Sequence, residues 1–185
     1  MPSDKKRLYI ALYARGGTPQ MPRGEDKYHW AFIIGPKVET DTTKGRRCHV
    51  KESVQFIEGT PYTTWAFEDR EISTMPTAMI LVRVLIGKVE NLDRLRRVFA
   101  ATPIRAGQDG FQAWNCVWWI QEAFNAAMAD RAALGTRLAD WERARSISMW
   151  YVTKKTMEHR FDGQGDFNND KIATWDAIEN KEIVA

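Results

Sequence analysis

The sequence predicts a single α+β domain, with an antiparallel sheet of about five strands packed against a cysteine-bearing helix and neighbouring helices. Three observations point there. Period-two alternation dominates the chain as far as Val89, and apolar residues recur at helical spacing from Asn91 onward. The length, 185 residues, suits one domain with a substantial core and is short for two. The domain is expected to span residues 1–160, with a polar C-terminal tail over 161–185.

Leu8 to Ala14 alternates and carries two tyrosines, which reads as a first strand. Arg15-Gly-Gly-Thr-Pro and the following Met-Pro-Arg-Gly read as a loop able to serve as a lid. Tyr28 to Ile34 is rich in aromatic and branched residues and stops at Gly35-Pro36. Its alternation puts Tyr28, Trp30, Phe32 and Ile34 on one face and His29, Ala31 and Ile33 on the other. Both faces are largely apolar, so the strand is expected to be central. A polar turn follows, and Arg46 to Phe56 resumes a strand pattern holding Cys48 and His49. After Gly59-Thr-Pro come strands over Thr64 to Ile72 and Met79 to Val89. Arg83 interrupts the last strand and needs a partner if buried, for which Glu68, Asp69 and Glu71 are available.

Asn91 has the character of an N-cap, opening a helix whose Leu92, Leu95, Val98 and Phe99 turn inward. Arg94, Arg96 and Arg97 then face outward, as a solvated surface or as phosphate contacts. A second helix starts at Asn115-Cys116, with Val117, Ile120, Phe124 and Met128 as its apolar face. A third is expected from Thr136 to about Glu158, burying Leu138, Trp141, Ala144 and Tyr151. Beyond Phe161 the chain is polar and rich in glycine and asparagine, and reads as flexible. Its Asp162–Asp170 stretch imitates a calcium loop, but Lys171 and Ala177 stand where the turn glycine and the bidentate glutamate belong.

Hydrophobic residues at 44% and charged residues at 28% describe an ordinary globular chain, and a net charge of +3 falls short of a strong nucleic-acid binder. Eight tryptophans point to large aromatic contacts in the core or around a pocket. No apolar run approaches a membrane span and the N-terminus lacks a signal-peptide core, so a cytoplasmic protein is expected. Two cysteines and three scattered histidines do not supply a structural metal site, and no cofactor motif stands out. Neither a metal nor a cofactor is expected.

The chemistry-bearing feature is Cys116 in the first turn of its helix. Asn115 can cap that turn. A thiol there feels the positive end of the helix dipole, conditions that favour a thiolate and can hold an oxyanion. The competing reading is a small buried hydrophobe. As a nucleophile Cys116 needs a base and a group to orient that base. His159 lies among Lys154, Lys155 and Arg160 and is set aside as a surface residue, whereas His29 and His49 occupy strands expected to be neighbours. Either could equally be a structural histidine.

Tyr28-His-Trp-Ala-Phe-Ile-Ile-Gly35, then a strand with His49, then Asn115-Cys116 opening a helix, resembles the circularly permuted branch of the NlpC-type papain-like superfamily, the lecithin:retinol acyltransferase-like proteins. The resemblance covers roughly Tyr28 to Phe124. It implies a permuted papain-like fold with Cys116 as nucleophile, His29 as base and His49 as the orienting residue. Thiol-based acyl transfer through a thioester would follow, on a small-molecule or peptide acyl substrate, with water or an amine as acceptor. Asn115, Val117, Tyr28, Trp30 and Trp119 are the accompanying substrate or oxyanion candidates. Val117-Trp118-Trp119 departs from the acidic and histidine residues typical of those acyltransferases, leaving the substrate open. Ile86-Gly-Lys-Val89 and Trp114-Asn-Cys-Val-Trp118 give the chain the look of small fungal proteins as well. Among these, the arginine-containing cyclodipeptide synthases use aminoacyl-tRNA. On that reading Arg94, Arg96, Arg97 and Arg105 would meet tRNA phosphates. A non-catalytic ligand-binding module with the same fold is the remaining alternative.

Overall fold

Alternation and helical spacing do build a mixed α/β unit. A computed structural model describes residues 4–111 and 113–185. In chain order the elements are β1 (Arg7–Ala14), β2 (Tyr28–Gly35), β3 (Lys44–Ile57), β4 (Thr60–Ser73), β5 (Ile80–Val89), α1 (Leu92–Ala101), α2 (Cys116–Ala129), β6 (Leu134–Arg137), α3 (Trp141–Met157), β7 (Ala173–Asp176) and β8 (Lys181–Val184). The sheet therefore has eight strands rather than about five. Their order is β4-β3-β2-β1-β5-β7-β8, with β6 paired separately to β5. All pairings are antiparallel except β5 with β7.

Period two sorts the strand residues onto two faces. Leu8, Ile10, Leu12, Trp30, Phe32, Ile34, Cys48, Val50, Val82 and Val84 join the buried faces of the helices in one large core. Phe32 stacks on Phe99 of α1 with centroids 4.5 Å apart, and its ring edge meets Trp119 of α2. Such aromatic pairs add about 1 kcal/mol beyond the area they bury. Tyr9, Ala11, Tyr13, Ala31, Ile33 and Leu85 form a smaller cluster on the opposite face, to which no described helix contributes. β2 is central as expected, lying between β1 and β3.

The longest ladder is the β3–β4 hairpin. Glu58 and Gly59 take φ of 50° and 80°, the left-handed pair that a two-residue type I′ turn requires. From that turn the register runs unbroken from Ile57↔Thr60 to Lys44↔Ser73, placing His49 opposite Glu68 and Arg47 opposite Arg70. By contrast, β2 and β3 pair only through Phe32–Ile34 and Arg46–Cys48. Toward the start of β2 the two strands part, and the main chain around Trp30 loses its β3 neighbour.

Three expectations are corrected. Thr136 and Arg137 belong to β6 on the edge of β5; the third helix starts only at Trp141, where the Asp140 side chain caps the Arg143 amide at 2.8 Å. Residues beyond 161 are not a loose tail. Ala173 and Thr174 of β7 are 1% exposed, and β7 lies along β5 from Val82↔Ala173 to Leu85↔Asp176. Arg83 is paired not by the β4 acids but by Glu39 from the polar turn, through two hydrogen bonds of 2.8 and 2.6 Å, with Thr174 accepting a third.

Candidate thiol site

Asn115 caps α2 as its sequence position implies, its side chain accepting from the Val117 amide at 2.9 Å. Cys116 is thereby fixed as the first helical residue, and it is fully buried in the helix-side core. Burial pushes its thiol up. The main-chain amides of Trp30 and of Cys116 itself pull the other way, as does the charge of Arg15, but desolvation is the largest influence. Burial thus works against the thiolate that the helix N-terminus favours. Cys48 is also fully buried, and burial raises its thiol to about 12.

The two strand histidines do come together. His29 Nε2 lies 2.6 Å from His49 Nδ1, and His49 Nε2 lies 3.0 Å from Glu68 Oε1. Glu68 was available in the sequence as a partner for Arg83; it serves His49 instead. Its carboxyl is held down to about 2 by Lys51 first and then by His49, with Arg47 adding to the effect, so it is ionised and only accepts. One direction of hydrogen bonding follows. His49 donates Nε2–H to Glu68, which leaves its Nδ1 as an acceptor. His29 must then donate Nε2–H to that nitrogen, which leaves the lone pair on its own Nδ1. His29 Nδ1 has no hydrogen-bond partner among the described residues.

Burial first, then the competition with His49 for a proton and the charge of Arg47, lowers His29 from 6.5 to about 3, and burial also lowers His49. Both rings are neutral at physiological pH. Alternation sends His29 toward Tyr13, ring centroids 6.1 Å apart, and Trp30 toward the helices. The imidazole of His29 and the thiol of Cys116, set against the Trp30 amide, thus flank one stretch of β2 main chain where β3 has already separated. No hydrogen bond joins Cys116 to either imidazole among the described residues.

The amides of the first helical turn are unequally available. Asn115 takes those of Val117 and Trp119, through its side chain and its carbonyl. The Trp118 amide has no acceptor among the described residues. That donor was missed in the sequence, although counting from the cap would have found it. Val117 and Trp119, named as substrate or oxyanion candidates, are instead core residues with committed amides, 2% and 0% exposed. Tyr28 and Trp30 are likewise core, and the Trp30 indole donates to the Glu25 carbonyl at 2.8 Å. The Arg15–Gly24 loop is tied down beside β2: Asp26 accepts from the amides of Gln20 and Met21, and Met21 packs onto the helix-side core.

A family of unknown function, DUF6914, matches residues 5–184. The chain belongs to that family. No curated protein and no solved structure matches it. In this DUF6914 chain the arginines proposed for phosphate are mostly engaged. Arg94 pairs with Asp130 at 2.7 Å, Arg96 with Asp69 at 2.6 Å and Arg105 with Glu122 at 2.8 Å. Arg97 is exposed on α1. His159 is a surface residue bonded to Asp162, and no metal-holding cluster occurs among the described residues.

Proposed function

We propose that this DUF6914 chain is a thiol-dependent acyl-transfer enzyme. The observation that supports the reading is the one-way hydrogen-bond chain from Glu68 through His49 to His29, whose Nδ1 is left unpartnered among the described residues, His29 being the neighbour in sequence of Trp30, whose amide bears on the Cys116 thiol. His29 Nδ1 takes the S–H proton as sulfur attacks the carbonyl carbon of an amide or ester. The tetrahedral oxyanion is met by the free Trp118 amide. Collapse breaks the bond to the amine or alcohol, which leaves with the proton from His29, and a thioester remains on Cys116. Water or an amine then attacks that thioester, His29 again taking the proton, and the thiol is regenerated.

A neutral thiol and a neutral imidazole make this a general-base mechanism without a standing ion pair. Full burial of Cys116 requires the packing over it to open before substrate enters. The paired state of Arg94, Arg96 and Arg105 favours a small acyl donor over aminoacyl-tRNA.

Incubation with p-nitrophenyl acetate, followed by intact and peptide mass spectrometry, tests the proposal. One acetyl group per chain on Cys116, lost in Cys116→Ala, is expected. Acetylation confined to lysines, with Cys116 unmodified, would overturn it. Burial and the raised thiol also favour a second reading, a non-catalytic module in which Cys116 is packing, and that is the result such inertness would support.

A further inference from the structure

The face of the sheet that no described helix covers carries a cleft of about 320 Å³, within the size range of small-ligand sites. Its lining holds Arg47, Arg70 and Arg83 against one carboxylate, Glu71. Arg83 is neutralised by its two hydrogen bonds to Glu39. Arg47 and Arg70 are different. They stand directly opposite each other on β3 and β4, an arrangement of like charges that destabilises a ladder unless an anion compensates it. Arg70 is exposed and has no ion pair among the described residues. Arg47 reaches Glu68 at 3.1 Å, but that carboxylate is shared with Lys51 and His49. The Arg47 Nε is buried without an acceptor, a donor whose lost hydration nothing in the fold replaces.

We infer that this cleft binds a small organic carboxylate, its two oxygens held by Arg47 and Arg70 and its apolar body lying on Ile33, Ile72 and Ile80. Guanidinium groups match a planar carboxylate in a way that a single ammonium does not. The branched floor, continued by the Tyr13 ring beneath the Arg47 guanidinium (5.7 Å to the centroid), suits an aliphatic or aromatic acid better than a bare inorganic anion. The site uses residues distinct from Cys116 and His29. Its occupancy can be read as binding alone, so it stands or falls separately from acyl transfer.

Calorimetric titration of the full chain with benzoate, at low ionic strength, is the test. Saturable 1:1 binding is expected, weakened at least tenfold in Arg70→Ala, whose exposed position lets the variant fold. Neutral benzamide, which keeps the ring and loses the charge, should bind at least tenfold more weakly than benzoate. Absence of saturable benzoate binding would overturn the inference, as would equal affinity in Arg70→Ala or for benzamide. Inorganic phosphate binding more tightly than benzoate would also overturn it, by showing an anion site without an organic body.

Discussion

At the scale of single residues, the decisive feature is that one ionised carboxylate sets the tautomers of two imidazoles. Glu68 cannot donate, so each ring in turn must donate outward and present its other nitrogen inward. Replacing Glu68 with Gln keeps the shape and makes the position able to donate, so the chain of donors can run in reverse and protonate His29 Nδ1. The rate of Cys116 acetylation by p-nitrophenyl acetate should fall about 100-fold, the scale of a lost general base. An unchanged rate would mean that His29 is not oriented through this route. His29 and His49 were legible from their strand context and from a resemblance. Glu68 was within reach as well, because counting back from the Glu58-Gly59 turn pairs it with His49. Arg83 drew attention to the same acid, and a buried arginine gives no hint in sequence that its partner lies in a turn.

At the scale of elements, strong periodicity and capping carried the reading. β2 and β5 coincide closely with the segments read as strands, and Asn91 and Asn115 cap α1 and α2 as their positions implied. The short pieces were not legible. β6, β7 and β8 have four residues each, too few for alternation to stand out, and they are strands because β5 and β7 offer edges to pair with. The polar turn before β3 carries no sequence signal beyond that of a connection, yet Glu39 within it holds the 5%-exposed Arg83 in the sheet. Glu39→Ala should lower unfolding stability by about 3 kcal/mol, since it leaves a buried guanidinium without its counter-charge. Denaturant unfolding measures this, and a loss below about 1 kcal/mol would mean that Thr174 and the Tyr9 ring suffice for Arg83.

At the scale of the whole molecule, the C-terminal strands close the sheet and tie it to α3. Lys155 is 1% exposed and pairs with Glu158 at 2.8 Å and Glu182 at 2.6 Å, while the Tyr151 hydroxyl shares its one proton between Glu182 and the Val184 carbonyl, each 2.9 Å away. A segment polar enough to read as a tail thus completes the fold through charges and main-chain pairing. The protonation pattern of the buried imidazoles also bears on global stability. His29 takes up a proton near 6.5 when unfolded and only near 3 when folded, so its contribution is complete above pH 6.5 and is lost as pH falls toward about 3. His49 is shifted in the same direction. The melting temperature should therefore decline from pH 6.5 to pH 4, and His29→Gln should flatten that decline. An identical slope in the variant would contradict neutral burial of His29.

Cys116 and Cys48 are equally buried, with only the former at the start of a helix and set against the Trp30 amide next to His29 in sequence, so they form an internal comparison. Time-resolved iodoacetamide labelling of the native chain at neutral pH, with peptide mass spectrometry, should show Cys116 reacting at least tenfold faster than Cys48. In His29→Ala that advantage should disappear. Equal labelling of the two cysteines in the native chain, or a Cys116 rate indifferent to His29→Ala, would contradict a nucleophilic role for Cys116.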